Sequence, residues 1–187
     1  MRVTGGSARG IRLLSPRSAA VRPTMDRVRS ALFNILSPFE LENINVADLF
    51  AGTGTLGIEA LSRGVGHVDF VEQKAVQCKD ILSNLRAAKL QDKATIHQVT
   101  VSRALNTLNT PYDLVLMDPP YTQPFPLDVL RKLQERTLIH KTSLIIVGHA
   151  SRVASPENCG EFVRWQDRRY GDSSIAFYLS SGREPKK

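Results

Sequence analysis

From residue 45 onward, short apolar runs alternate with segments of helical period, and this alternation limits the folds open to the chain. The apolar runs at 46–50, 67–71, 94–99, 112–117 and 143–147 read as strands. Helices are expected between them at 55–63, 74–89, 101–108 and 127–137. A parallel strand pair needs a long crossover, so this pattern implies a parallel sheet covered by helices on both faces. The end of the chain differs. Segments 161–170 and 174–180 flank Gly171-Asp172-Ser173, which reads as an antiparallel hairpin on the sheet edge, with Tyr170-Gly171-Asp172 as its turn. The expected fold is α/β, with a mostly parallel seven-stranded sheet and an antiparallel C-terminal hairpin.

Residues 1–40 read as a small N-terminal extension and residues 41–187 as the main domain. Two short strands are expected around Gly5-Gly6 and Gly10. Arg22-Pro23 then breaks the chain, and Thr24 can cap a helix to Leu36 that places Val28, Leu32, Ile35 and Leu36 on one face. Ser37-Pro38 ends it.

The first strand of the main domain runs into Asp48-Leu49-Phe50-Ala51-Gly52-Thr53-Gly54-Thr55-Leu56-Gly57. Gly52-x-Gly54-x-x-Gly57 has the spacing of a nucleotide-binding loop, in which glycines admit close backbone approach and a helix N-terminus offers free N–H groups. Glu72 ends the second strand, where an acid can hold ribose hydroxyls, with Gln73 beside it. A carboxylate at Asp48 would repel a pyrophosphate. It suits instead the α-ammonium of the methionine part of S-adenosylmethionine, unless backbone N–H groups claim it.

The fourth apolar run ends in Asp118-Pro119-Pro120-Tyr121. Neither proline can donate a sheet hydrogen bond, so pairing stops there and the acid sits at the carboxyl edge, where open α/β sheets bind ligands. A carboxylate and a neighbouring carbonyl can both accept from an exocyclic NH2 of a nucleobase, and the aromatic ring can stack on that base.

The net charge of +7 favours a polyanionic partner such as nucleic acid. Arginines cluster near the start, and Arg9, Arg12, Arg22, Arg27 and Arg29 are the candidates for phosphate contacts, with pairing to Asp26 or other acids the alternative for Arg27 and Arg29. No apolar run approaches the ~20 residues of a membrane span, and the N-terminus lacks the apolar stretch of a signal peptide. Cys78 and Cys159 form no CxxC pair and read as buried thiols. Four scattered histidines show no metal-ligand spacing, so no metal is expected.

With Asp48–Gly57, Glu72 and Asp118–Tyr121 in this order, the chain resembles the class I S-adenosylmethionine-dependent methyltransferases, which have a Rossmann-like fold. Arg22-Pro23-Thr24-Met25-Asp26-Arg27-Val28-Arg29, with Leu32-Phe33-Asn34, is similar to the amino-terminal motif of the bacterial 16S rRNA guanine-N2 methyltransferases. So are Gly5-Gly6 with Gly10, the run from Gly57 to Gly64, and Tyr170-Gly171-Asp172. The resemblance implies a cytoplasmic enzyme that methylates N2 of one guanine, conventionally nucleotide 966, in 16S rRNA of the small ribosomal subunit, and a monomer is expected. It implies Asp118, Pro119, Pro120 and Tyr121 as catalytic residues. It implies cofactor contacts from Asp48, Phe50, Ala51, Gly52, Thr53, Gly54, Gly57, Glu72 and Gln73, with Thr24 closing over the methionine end.

The sequence departs from that pattern twice. Many methyltransferases carry Asp or Asn after the third strand to meet the adenine amine, whereas this chain offers Thr100 and Ser102. Where the fifth strand of relatives often ends in Glu, this one has Gly148-His149, and a packed His149 is the expectation. The rival readings are a DNA adenine-N6 or cytosine-N4 methyltransferase, an NAD-dependent oxidoreductase, and a non-catalytic RNA-binding factor. The first lacks room for a recognition domain, and the second leaves Asp118–Tyr121 unexplained.

Overall fold

The computed structural model describes residues 1–15 and 23–180, without the side chains of residues 23–26. Five strands, β1 (Asn45–Leu49), β2 (His67–Val71), β3 (Ala94–His97), β4 (Tyr112–Met117) and β5 (Ile139–Ala150), pair in parallel in the order β3-β2-β1-β4-β5. Helices α2 (Thr55–Ser62), α3 (Ala75–Ala88), α4 (Val101–Thr107) and α5 (Leu127–Glu135) lie between them, and α1 (Pro23–Ile35) precedes them. Strand β8 (Ser173–Ser180) pairs antiparallel with β5, and β7 (Phe162–Tyr170) pairs antiparallel with β8.

Among the described residues the sheet has eight strands rather than seven, because the two-residue β6 (Asn158–Cys159) adds to β7. Strand β5 is longer than the apolar run 143–147. Ile139 pairs with Tyr112 across a register shift, and β8 continues the ladder to Ala150. The polar His140-Lys141-Thr142 hides that continuity in the sequence. The N-terminal strands reduce to one antiparallel bridge between Arg2 and Arg12.

Side-chain alternation along the strands builds two cores. Val46, Phe70, Leu116 and Ile146 face α1, α2 and α3 through Leu32, Ile58 and Ile81. Ala47, Leu49, Val71, Met117 and Val147 face α4 and α5 through Leu105 and Leu130. Both faces are covered, so these strands read as nearly continuous apolar runs.

The N-terminal segment docks on α2. Glu59, fully buried mid-helix, accepts from Thr4 N at 2.8 Å and Thr4 Oγ1 at 2.7 Å, and pairs with Arg29 Nε at 3.1 Å and Arg63 Nε at 2.9 Å. Burial alone would raise the pKa of Glu59. The Thr4 donors, Arg63 and Arg29 together hold it below its usual value. One carboxylate thus ties the first strand segment, α1 and α2 together.

Candidate active site

Strand order changes direction at β1, whose neighbours are β2 on one side and β4 on the other. Ligands of open α/β sheets bind at such a switch point. Register fixes what meets there. Leu49 pairs with Val71 and with Met117, and Met117 pairs with Val147. The next residues, Glu72, Phe50, Asp118 and Gly148, therefore emerge side by side at the carboxyl edge.

A cavity of about 500 Å³ opens at this edge. Its lining brings together Asp48, Phe50, Ala51, Gly52, Thr53, Glu72, Gln73, Thr100 and Ser102 from the sequence-derived cofactor set, with Asp118 and Pro120 from the Asp-Pro-Pro-Tyr run. Phe50 turns the chain out of β1 with φ 66°, a sparsely populated conformation that side chains other than Gly adopt mostly at functional turns. Glu72 is held rigidly. Its Oε2 accepts from Gly52 N at 3.0 Å and its Oε1 from Lys74 N at 2.8 Å.

Gly54 and Gly57 do not line this cavity. An added Cβ at Gly57 would lie 2.4 Å from Phe70 Cε1, so this glycine serves helix-on-strand packing. Gly54 caps α2 with φ 78° and packs near Ile81 and Phe70. Both therefore shape the loop from behind. Thr100 Oγ1 caps α4 by accepting from Arg103 N at 3.3 Å, and it also faces the cavity. The side chain of Thr24 lies outside the described residues, as does Arg22.

Asp48 Oδ2 accepts from Gly57 N at 2.9 Å, so a backbone N–H does claim one of its oxygens. Burial pushes Asp48 up to about 7. The Gly57 N–H opposes the rise, and the Asp118 and Glu72 charges add to it. Asp118 is exposed where the cavity opens, and desolvation by the surrounding protein pushes its carboxyl up to about 6 against the pull of the Tyr121 hydroxyl. Three carboxylates thus crowd one cavity in a chain of net charge +7, which is an arrangement that favours a cationic ligand.

A second cavity, of about 260 Å³, lies on the other side of Asp118. It shares Asp118, Thr55 and Leu56 with the first. Its remaining wall comes from α1 (Val28, Arg29, Leu32), the strands (Leu116, Ile146) and the turn between β7 and β8 (Gly171, Asp172, Ser173). Tyr121 lines this cavity and is 40% exposed. Burial and the neighbouring Asp118 push its hydroxyl up to about 12, against the opposing pull of Ser173. Arg152 Nη2 donates to the Tyr121 carbonyl at 3.2 Å and so braces the Asp-Pro-Pro-Tyr loop. Gly148 has to be small, since a Cβ there would lie 2.5 Å from Asp118 Oδ1. Pro119 is buried and lines neither cavity.

Arg9, Arg12 and Arg27 are exposed, as a phosphate contact requires. Arg29 is not. It is 3% exposed, because Glu59 and the Arg2 carbonyl hold its guanidinium inside the protein. The expectation of a surface cation at Arg29 is therefore corrected, and the alternative of pairing with an acid holds. His149 is packed as expected. Its Nδ1 lies 3.0 Å from the Val153 carbonyl and its ring meets Phe125 edge-on at 5.5 Å. Cys78 and Cys159 are free and buried.

The sequence reading missed the second cavity's wall. In the sequence Asp172 reads first as part of a turn, within a run that resembles the family's, and Arg29 as a phosphate contact or the partner of an acid. Gly148 stood out in the sequence only as a missing Glu.

Residues 1–179 match the model of the family described as Conserved hypothetical protein 95. The chain is 32% identical over 185 residues to the putative rRNA methyltransferase YlbH of Bacillus subtilis, covering 97% of this chain and all of that one. It is 33% identical over 147 residues to the ribosomal RNA small subunit methyltransferase D of Escherichia coli, covering 79% and 73% of the two chains. Among solved structures, the putative methyltransferase yhhF from Escherichia coli superposes with a TM-score of 0.85 at 26% identity, covering 98% and 99%. The match spans the sheet, the loop from Asp48 to Gly57 and the Asp118–Tyr121 run, so the chain belongs to the family described as Conserved hypothetical protein 95.

Proposed function

We propose that this chain is an S-adenosylmethionine-dependent rRNA methyltransferase that modifies the exocyclic N2 of a guanine in 16S rRNA of the small ribosomal subunit, guanine 966 by family resemblance. The observation that carries the reading is the position of Asp118 between two adjoining cavities. One has a donor set suited to a cationic nucleoside, and the other has room and an aromatic wall for a base. The relatives named as rRNA methyltransferases support the RNA substrate.

The chemistry of the first cavity fits the cofactor. Glu72 would hold its ribose hydroxyls and Asp48 would face its α-ammonium, with Gly52 letting the backbone come close. When bound, S-adenosylmethionine supplies an electrophilic methyl group on a sulfonium. Asp118 accepts from an N–H bond of guanine N2. The sequence also offers the Pro119 carbonyl as an acceptor, but Pro119 is buried and lines neither cavity, so it is not assigned that role. The Asp118 contact favours a pyramidal nitrogen and aims its lone pair at the methyl carbon. The nitrogen would take up this methyl while the S–C bonding pair stays with the cofactor as a neutral thioether, and the positioning of the amine by Asp118 would supply most of the rate. Asp118 stabilises the positive charge that develops on nitrogen. It can also accept the proton that the nitrogen sheds and release it to solvent. Tyr121 stacks on the extruded base, since the amine is unreachable inside a helix. Neither cysteine takes part.

The test is methyl transfer from labelled S-adenosylmethionine to small subunits lacking the modification, naked 16S rRNA and duplex DNA, followed by identification of the labelled nucleoside. N2-methylguanosine from a ribosomal substrate is the expected product. N6-methyladenine or N4-methylcytosine from DNA would overturn the substrate.

A further inference from the structure

The β7–β8 turn belongs to the second cavity for a topological reason. Strand β8 runs antiparallel to β5, so its first residues lie at the same edge as the carboxyl ends of β1 and β4. Ser173 pairs with Ala150, and Ile175 pairs with Gly148, the residue packed against Asp118. Gly171, at φ 65°, lets the chain reverse in two residues and sets Asp172 on the cavity wall. The Asp172 carbonyl accepts from Ser151 N at 2.9 Å, which anchors the turn. Its carboxylate makes no hydrogen bond or ion pair with any described residue.

From this geometry we infer that Asp172 is the specificity-determining residue for the acceptor base. The inference rests on the proposed guanine-N2 chemistry and deepens it. Asp118, Tyr121, Asp172 and Ser173 line the same cavity. A base that enters this cavity meets two carboxylates. Guanine presents two adjacent donors on one edge, the N2 amine and N1–H. Asp118 takes the amine and Asp172 takes N1–H. Adenine and cytosine also carry an exocyclic amine, but the adjacent ring nitrogen is an acceptor, and its lone pair would face a carboxylate. A site built to accept a hydrogen bond rejects a ligand that cannot donate it more strongly than an apolar pocket rejects a change of size. Arg29 also lines the cavity, but Glu59 and the Arg2 carbonyl already engage it.

The experiment compares guanine with 2-aminopurine at the mapped target nucleotide, in 16S rRNA joined from synthetic segments and reconstituted into small subunits. 2-Aminopurine keeps the 2-amine but replaces N1–H with an acceptor. Wild-type enzyme should prefer guanine by about 100-fold or more in kcat/KM. In Asp172→Asn the carboxamide can donate to the bare ring nitrogen, so the preference should shrink at least tenfold. Melting temperature and S-adenosylmethionine affinity should stay as in wild type, because the side chain touches neither the core nor the cofactor cavity. An unchanged guanine preference in Asp172→Asn would overturn the inference. No transfer to guanine N2 by wild-type enzyme would instead overturn the proposed function.

Discussion

The two cavities that meet at Asp118 are built in opposite ways. The larger one is assembled mainly from residues at or just after the carboxyl ends of β1, β2 and β3, together with Asp118 and Pro120 after β4, and Met1, Gln77 and Val129 complete its rim. The smaller one draws its wall from α1, α2, β4, β5 and the β7–β8 turn, which span residues 28 to 175. The first site is built mostly by the parallel sheet and the short loops at its carboxyl edge. The second requires α1 to dock and the C-terminal hairpin to return along β5. A cofactor site of the first kind can therefore stay constant while a substrate site of the second kind is rebuilt for another acceptor, which is how one fold supports many functions.

That difference can be broken from either side. The largest effect is expected at Glu59, which holds Arg29 and Thr4 and so fixes α1 as the wall of the second cavity. Glu59→Ala leaves a buried arginine uncompensated and should cost about 3–5 kcal/mol of stability in denaturant titration. A loss under ~1 kcal/mol would mean that the docked N-terminus does not depend on this carboxylate. On the cofactor side, Glu72→Ala should weaken S-adenosylmethionine binding about 10–100-fold, the scale of a lost charged hydrogen bond. At saturating cofactor its turnover should stay close to wild type, because nothing in the second cavity changes.

A smaller effect concerns pH. Asp48 is raised to about 7, so the free protein holds a proton there below that pH. A cationic ligand favours the carboxylate and must displace that proton. Affinity for S-adenosylmethionine should therefore fall by up to about tenfold per pH unit as pH drops below about 7, with proton release on binding. Asp48→Asn should flatten this part of the profile, and a wild-type affinity constant between pH 5 and 8 would refute the assignment. The smallest change is expected at the surface. Charge reversal at Arg9 and Arg12 should weaken RNA binding severalfold at low salt and less at high salt, since only screened phosphate contacts are lost. Equal affinity across a salt series would remove them from the RNA surface.

The contrast also governs what the sequence reveals. Asp48, the loop to Gly57, Glu72 and Asp118–Tyr121 are contiguous or strand-terminal, so period and position locate them. Even there, spacing alone does not separate Gly52, which faces the cavity, from Gly57, which faces Phe70. The acceptor wall leaves no such local signal. Glu59 lies within a helix, and its neighbours in sequence do not show that Thr4 and Arg29 converge on it. Arg29 reads as a phosphate contact or the partner of an acid for the same reason. Asp172 reads as turn chemistry, and only the antiparallel return of β8 brings it to the edge where Asp118 stands. The extra strand β6 and the length of β5 depend likewise on pairing partners rather than on their own residues.

The most direct test of the central claim, that Asp118 joins a cofactor site to an acceptor site, is a paired measurement on Asp118→Ala. Calorimetric titration with S-adenosylmethionine and single-turnover transfer to unmodified small subunits would be run on the same sample. The account predicts cofactor affinity within a few fold of wild type and a transfer rate lower by at least ~100-fold. Transfer at the wild-type rate would contradict it, and so would loss of cofactor binding in step with loss of transfer.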